Sequence, residues 1–563
     1  MGNTGTSTWL TSAFVGLAFH ALTQWVEIDM LIPQTFAVLI ASLLAIFYVD
    51  VQVYGSATTD AAITLATAVA GFLVSVIVST LVHRIFFHRL RKFPGPFFAK
   101  ISKFYGLFYM ARNLQYQFEI EKLHDKYGDV VRTGPRELSV ARVSPLNKII
   151  TCGKHNFYSM GDQNQKHQGL SFTLDQEDHK KRRRAWDLSM NTQQVAKYDP
   201  AMQSIVTLFL ERLAEQRGKP VNATEWVSWL SYDIMGIVGF SKDFGNLRSG
   251  TEHMAVRGLR DQMIAFGAFK HVPWLAHLLS HIPGGQGAMG PFNEYCRKLV
   301  FEKRTSLGAK ELEEPNDIMT WLIKAFVEKR PWAAHTILAL DDDSRSLVMG
   351  GADTTAGTLT NILSYLALYP SYQQKLQSAL AAVYPDGPAS FNPDLVDRVP
   401  LLEGIVNETL RLHPPVPSGQ PRVTPSEGLH VLAGKGEEGD LFIPGDTVVL
   451  MPQWLIQRDE RYFEKAKEFV PERWIAGSKD AGMIKNRDAF FPFQLGAHNC
   501  VGKQLAMWEM KNVLARLALT FDVVLAPGED SRRFHSKALD TWTLTLPALM
   551  LEFRPREWAK AAA

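Results

Sequence analysis

The chain has 563 residues, 46% of them hydrophobic and 21% charged, so apolar side chain is ample for a core and a short peptide or a wholly disordered polymer is excluded. With 60 basic residues against 57 acidic, the net charge is +3, too balanced for a dedicated nucleic-acid binder. Cys152, Cys296 and Cys500 stand far apart with no CxxC pair, which excludes a disulfide framework or a zinc ribbon and leaves a lone cysteine to carry chemistry.

Before Arg84 there is no Lys or Arg, only the acids Glu27, Asp29, Asp50 and Asp60. Three apolar stretches predict transmembrane helices over 9–25, 30–49 and 61–82, each near the ~20 residues a span requires. The first carries His20, Thr23 and Gln24, is the weakest, and would also suit a helix lying on the membrane surface. The basic cluster His88-Arg89-Leu90-Arg91-Lys92 after the third span belongs on the cytoplasmic side, which puts the rest of the chain in the cytosol. The N-terminus is then lumenal with three spans and cytosolic with two. A cleaved signal peptide is disfavoured, because a basic leading segment is missing and the apolar signal repeats. Residues 1–92 thus read as an anchor and 93–563 as a catalytic domain. Phe93-Pro94-Gly95-Pro96 breaks any helix and reads as a hinge between them.

The domain beyond it reads as mostly helical, with short β-like runs such as Val448 to Met451. The basic run from His179 to Trp186 resembles a solvated face, but helical spacing puts His179, Arg183 and Trp186 on one side. Gly285 to Gly290 match GxGxxG, yet no parallel strand precedes them and Pro291 follows, so a dinucleotide site is rejected. Asn222 and Asn407 head glycosylation sequons that a cytosolic location leaves unused. Asp342 to about Tyr369 predicts one helix closed by Pro370. Within it lie Gly350 and Gly351, costing roughly 1 kcal/mol each relative to alanine and so marking a distortion, beside Asp353 and Thr354, which suit water and proton relay. Glu408 and Arg411 share a helical face that ends at His413-Pro414-Pro415. Finally, Cys500 lies between Gly496 and Gly502 at the start of a helix predicted from Lys503 to about Phe521, where the helix dipole and free N–H groups favour a thiolate.

That loop resembles the haem-binding loop of the cytochrome P-450 family, FxxGxxxCxG, with Phe493, Gly496, Cys500 and Gly502 in the four fixed positions. Gly350 to Thr355 resemble its oxygen-binding helix motif, Glu408 and Arg411 its ExxR pair, and Pro471-Glu472-Arg473-Trp474 its later PERF segment. The resemblance covers roughly Phe93 to Pro555 and implies a mainly α fold with small β-sheets, the cytochrome P-450 fold, preceded here by transmembrane helices. It implies heme b with Cys500 as the axial metal ligand, and Asp353 and Thr354 as the acid and alcohol that deliver protons. His179, Arg183 and Arg422 would meet the haem propionates, as would His498, a weaker and pH-sensitive donor where many members carry Arg. Glu408, Arg411 and Arg473 would form a buried structural network.

The implied activity is a monooxygenase of the endoplasmic reticulum membrane, with several spans and a cytosolic catalytic domain, taking electrons from NADPH through a separate reductase. Lys503, Lys511 and Arg182 are the candidate docking charges. A lipophilic small molecule would contact residues 157–172, 265–292, 347–355 and 416–420, with terpenoids the first class and fatty acids the second. Alternatives are a fatty-acid hydroxylase, a member that rearranges peroxides without dioxygen (against which Asp353 and Thr354 argue), a non-catalytic haem-binding membrane protein, and a haem-free scaffold.

Overall fold

The computed structural model describes residues 2–24, 28–159, 164–282 and 289–557. Three helices lead the chain: α1 (Gly2–Leu22), α2 (Ile32–Gln52) and α3 (Thr58–Val82). Among the described residues two segments are long and apolar enough to cross a membrane, Asp29–Gln52 and Thr58–Phe87. α1 falls short because Ser, Thr and Asn dilute its apolar side chains, and Trp25, the end of the expected first span, lies outside the described residues.

α1 is nevertheless packed tightly on α3. A Cβ on Gly16 would lie 2.1 Å from Ser75 Oγ, and one on Gly71 would lie 2.4 Å from Ser12 Oγ. Small residues at such contacts let helix backbones approach closely, the form of packing that holds helices together in lipid. Residue 12 meets 71 and residue 16 meets 75, so α1 and α3 run in the same direction, with α2 returning between them.

The expected hinge is a fixed corner. The prolines do stop the helix, but the Arg132 N–H donates to the Pro94 carbonyl at 2.7 Å, and a Cβ on Gly95 would sit 2.3 Å from the Arg132 carbonyl oxygen. His88 and Leu90 are buried, while Arg89, which donates to the Asp446 carbonyl at 2.8 Å, Arg91 and Lys92 stay exposed. Arg132, fully buried, donates to the carbonyls of Arg84, Gly134 and Pro135 and so joins the end of the anchor to the first sheet.

That sheet has five strands in the order Val130–Gly134, Glu137–Val140, Val448–Leu450, Arg422–Val423, Gly153–Lys154. Val448–Leu450 is central and buried on both sides, parallel to Glu137–Val140 and antiparallel to Arg422–Val423, which accounts for its unbroken apolar run. The edge register sets Lys154 opposite Arg422. Elsewhere the domain is helical, and Thr354–Leu368 runs through its centre against Ala223–Phe240, Pro400–Leu412 and Lys503–Thr520.

The glycine-bearing helix starts earlier than Asp342, because Thr336 caps Ile337–Val348 by accepting from the Ala339 N–H. Met349–Asp353 is a π-turn, the distortion expected at Gly350 and Gly351, and regular helix resumes from Thr354 to Leu368. Gly285 to Ala288 lie outside the described residues, while Met289 and Gly290 open the helix Met289–Ser306.

Two tests follow from this packing. A Gly16→Cys, Ser75→Cys chain in membranes is expected to cross-link under a mild oxidant, seen as a reductant-sensitive gel shift; no shift would contradict a parallel α1–α3 pair. Glu509 is 1% exposed, accepts from Ser231 Oγ at 2.7 Å, and is pushed by burial up to about 8. Its folded value lies above its unfolded one, so the stability it contributes is full below about pH 4.5 and is lost as pH rises through about 8. Glu509→Gln should therefore flatten the fall of the thermal midpoint between those limits, and an unchanged slope would contradict a protonated buried acid.

Candidate active site

The cysteine loop owes its shape to a few backbone constraints. Gly496 has φ +66°, a left-handed turn that glycine adopts freely. The Cys500 N–H then donates to the Phe493 carbonyl at 2.7 Å and closes the loop, and Gly502 leads into the helix Lys503–Thr520, as expected. Cys500 keeps exposed surface, yet protein atoms crowd around its thiol. That burial pushes the thiol up; the Gly502 N–H, Arg183 and Lys503 pull it back down. A Cβ on Gly502 would stand 3.9 Å from the sulfur, so glycine keeps its flank clear.

Beside the loop is a cluster of positive and donor groups. Lys154 and Arg422 face one another across the sheet edge, an arrangement that costs free energy unless an anion lies between them. His179 and His498 rings lie 4.3 Å apart. Burial first, and neighbouring cations second, lower Lys154 to about 7, His179 to about 2 and His498 to about 3. Arg422 Nη1 and His498 Nδ1 are buried with no hydrogen-bond partner. Buried orphan donors of this kind are costly. Together with a sulfur and a glycine-lined helix, they fit a flat group that carries carboxylates and a metal for the thiolate.

Arg183 differs from expectation. Its Nε donates to Asp187 at 2.7 Å and its Nη1 and Nη2 donate to the carbonyl and side-chain oxygens of Asn499 at 2.8 and 2.9 Å, so it braces the residue next to Cys500. Two of the three docking charges are also corrected. Arg182 is 2% exposed and donates to Asp343 at 3.2 Å and to the Gln168 carbonyl at 2.7 Å, while Lys511 is paired with Asp397. Lys503 is exposed, as are Lys180, Lys181 and Arg184 on the helix Gln176–Met190.

On the distorted helix, Thr354 Oγ1 donates to the Gly350 carbonyl at 2.8 Å, and Asp353 Oδ2 accepts from Thr543 Oγ1 at 2.7 Å. Burial raises Asp353, against Thr543 and Arg260. Asp353 lines a cavity of about 310 Å³ whose walls include Glu225, Tyr232 and Arg260 but not Thr354. A Cβ on Gly350 would meet nothing within 4 Å, so open space adjoins the helix at the carbonyl that Thr354 binds.

A cluster of aromatic rings packs nearby. Phe157 stacks on Trp542 at 4.7 Å, and Phe266 lies 5.2 Å from Phe157 and 5.8 Å from Trp542. Tyr158 is 6.1 Å from Trp542, and Lys154 Nζ lies 5.4 Å from the Tyr158 ring, linking the aromatic cluster to the cationic one. Phe157, Tyr158 and Phe266 fall in the expected contact segments, whose residues 160–163 and 283–288 lie outside those described. Ser418, in the last segment, is hydrogen-bonded to Asp540. Trp542 was not singled out by sequence; its only signal is a tryptophan between threonines. Lys154 was missed because it becomes a site residue only through strand pairing.

Glu408, Arg411 and Arg473 have no exposed surface. Arg411 Nε and Nη2 donate to the two Glu408 oxygens at 2.9 and 2.8 Å, Arg473 Nε donates at 3.1 Å, and the Trp474 Nε1–H and Val470 N–H each donate at 2.9 Å. One carboxylate thus accepts five hydrogen bonds.

Residues 94–551 match the family model described as cytochrome P-450. A cytochrome P-450 monooxygenase of Eupenicillium brefeldianum is 34% identical over 497 residues, covering 87% of this chain and 96% of that protein. One from Penicillium fellutanum is 31% identical over 562 residues, 98% of this chain and 95% of its own. A tryprostatin B 6-hydroxylase of Aspergillus fumigatus is 32% identical over 476 residues, 83% of this chain and 81% of that protein.

Removing one partner of the Glu408 network strands a buried charge. Glu408→Ala and Glu408→Gln are each expected to cost ~3–5 kcal/mol in urea unfolding, because both leave the Arg411 and Arg473 guanidiniums buried without their counter-charge. Small losses for both would contradict the network's structural weight.

Proposed function

The chain belongs to the cytochrome P-450 family, and from that premise we propose that Cys500 holds a haem iron over which one atom of dioxygen is inserted into a lipophilic small molecule. Membership makes the protein an oxygen-incorporating oxidoreductase. The observation that supports the site assignment is the cationic cluster of Lys154, Arg422, His179 and His498, with its orphan donors, beside the Cys500 thiol. Bound there, the haem supplies dioxygen activation, and electron donation from the thiolate favours O–O cleavage.

The chain's own residues do the rest. Arg422 and His498 receive the propionates, and Arg183 holds the loop at Asn499. Asp353, in the cavity, takes protons from water, and Thr354, hydrogen-bonded to the Gly350 carbonyl beside the open space, passes them to the reacting side. The net change is C–H plus dioxygen, two electrons and two protons to C–OH plus water. The electrons come from NADPH through a separate reductase, docking on the exposed Lys180, Lys181, Arg184 and Lys503 in place of Arg182 and Lys511.

In this reading the enzyme is held on the endoplasmic reticulum membrane by its leading helices, with a cytosolic catalytic domain; the two apolar segments Asp29–Gln52 and Thr58–Phe87 are compatible with membrane anchoring. The exposed Arg91 and Lys92 support that side, and the parallel α1–α3 pair supports three spans with a lumenal N-terminus. The aromatic cluster favours rigid, ring-bearing molecules over flexible chains, which supports terpenoids before fatty acids. A relative named as a hydroxylase of tryprostatin B supports a biosynthetic role and adds aromatic ring systems to the candidates.

The test uses membranes carrying the chain and a reductase, NADPH, and a panel of terpenoids, aromatic ring systems and fatty acids, with mass detection of products gaining one oxygen. A product is expected with wild type and NADPH, and none with Cys500→Ser. Product formation by Cys500→Ser at the wild-type level would overturn the assignment of the ligand, and no wild-type product despite a thiolate-type carbon monoxide spectrum would overturn the substrate class.

A further inference from the structure

The antiparallel hairpin of Leu539–Thr541 and Thr543–Thr545 turns on a single residue, Trp542, because Thr541 pairs directly with Thr543. Its φ of +85° is a conformation that a bulky side chain avoids unless its surroundings impose it. They do so here. Lys270 pairs with buried Asp540 at 2.6 Å, the Leu544 N–H donates to the Pro415 carbonyl at 2.9 Å, and a Cβ on Gly267 would lie 2.6 Å from Thr541 Cα.

This clamped tip touches two places at once. Trp542 stacks on Phe157 in the aromatic cluster, and the next residue, Thr543, donates its hydroxyl to Asp353 Oδ2. The two residues are consecutive, so one backbone unit serves both contacts. The Thr543 hydroxyl fixes which carboxyl oxygen of Asp353 is committed and leaves Oδ1 to exchange a proton with the cavity. Arg260, on the cavity wall, pairs with Glu252 at 2.5 Å and acts on Asp353 through its charge.

We propose that Thr543 is a positioning residue for Asp353, and that the packing of Trp542 against Phe157 and Phe266 holds the hairpin tip in that position, so that proton delivery depends on this aromatic contact. This rests on the reading of Asp353 as a proton carrier and of the aromatic cluster as bordering the substrate. The proton comes from cavity water and leaves towards Thr354, so Asp353 ends each cycle as it began.

The full-length haem-loaded chain with reductase is compared as wild type, Thr543→Val, Thr543→Ser, Trp542→Ala and Asp353→Asn, with the Thr543→Val, Asp353→Asn double variant. Thr543→Val is expected to lower product per NADPH about tenfold, the worth of one hydrogen bond to a charged group, with hydrogen peroxide making up the difference and KM unchanged. Thr543→Ser should restore the ratio, and Thr543→Val should add nothing to Asp353→Asn. Trp542→Ala should raise both KM and the peroxide yield. A wild-type ratio in Thr543→Val, a serine variant as poor as valine, or an unchanged peroxide yield in Trp542→Ala would overturn the proposal.

Thermal unfolding of the four chains of the Thr543–Asp353 cycle reads the same link without turnover. Non-additive midpoints are expected, and additive ones overturn it. If wild type makes no product yet keeps its thiolate-type spectrum, the substrate reading fails while this cycle still decides the link.

Discussion

The carboxylate of Glu408 is the constraint on which the site depends. A buried ion is stable only when its charge is matched and its lone pairs are filled, and Glu408 meets both conditions with two guanidiniums, an indole N–H and a backbone N–H. What the arrangement fixes is backbone. Arg411 uses its remaining donors on the carbonyls of Gln457, Ala466 and Glu468, and Arg473 uses its own on Glu464 and Lys465. Gln457 in turn donates to the carbonyls of Leu410 and Arg411 and accepts from the Phe491 N–H, while Gln453 donates to the Phe491 carbonyl. Phe491 stands two residues before the loop that carries Cys500. A charge network far from the sulfur in sequence thereby sets where the loop begins.

The second constraint is electrostatic and runs the other way. Lys154, Arg422, His179 and His498 are gathered where burial disfavours positive charge, and both histidines are held neutral by it. Such a set is costly within the chain alone, and the proposed haem propionates would offset it, coupling binding to folding at this edge of the sheet. Glu408 is matched from within the chain, whereas on that proposal the cluster beside Cys500 would be matched from outside it. That contrast separates the structural half of the site from the binding half.

Legibility in the sequence follows from contact range. The loop from Phe493 to Gly502, the helix after it, the Glu408–Arg411 pair and the distortion at Gly350 and Gly351 are all set by neighbours within about one turn, so spacing reveals them. The anchor's apolar segments are legible for the same reason. Arg182 and Lys511 were misread because their partners, Asp343 and Asp397, lie far along the chain, and a basic run does not say which of its members face inward. Pro94 and Gly95 look like a hinge in isolation, and only the Arg132 backbone turns them into a corner. Lys154 and Trp542 became site residues through strand register and hairpin closure, neither of which leaves a periodic trace. Arg183 was placed on the correct side of its helix but engages the loop itself.

The π-turn at Met349–Asp353 explains why acid and alcohol are adjacent in sequence and yet separated in space. In a regular helix neighbouring side chains diverge by about 100°, and inserting a π-turn shifts the phase again at the point where Asp353 hands over to Thr354. The Thr354 hydroxyl is drawn back to the Gly350 carbonyl, beside open space, while the Asp353 carboxyl reaches the cavity on Thr543. A Cβ on Gly351 would lie 2.1 Å from Met235 Sδ, so glycine lets the distorted turn pack against the helix Ala223–Phe240 without displacing that side chain. The same two glycines that weaken the helix therefore let it carry one polar group to each side.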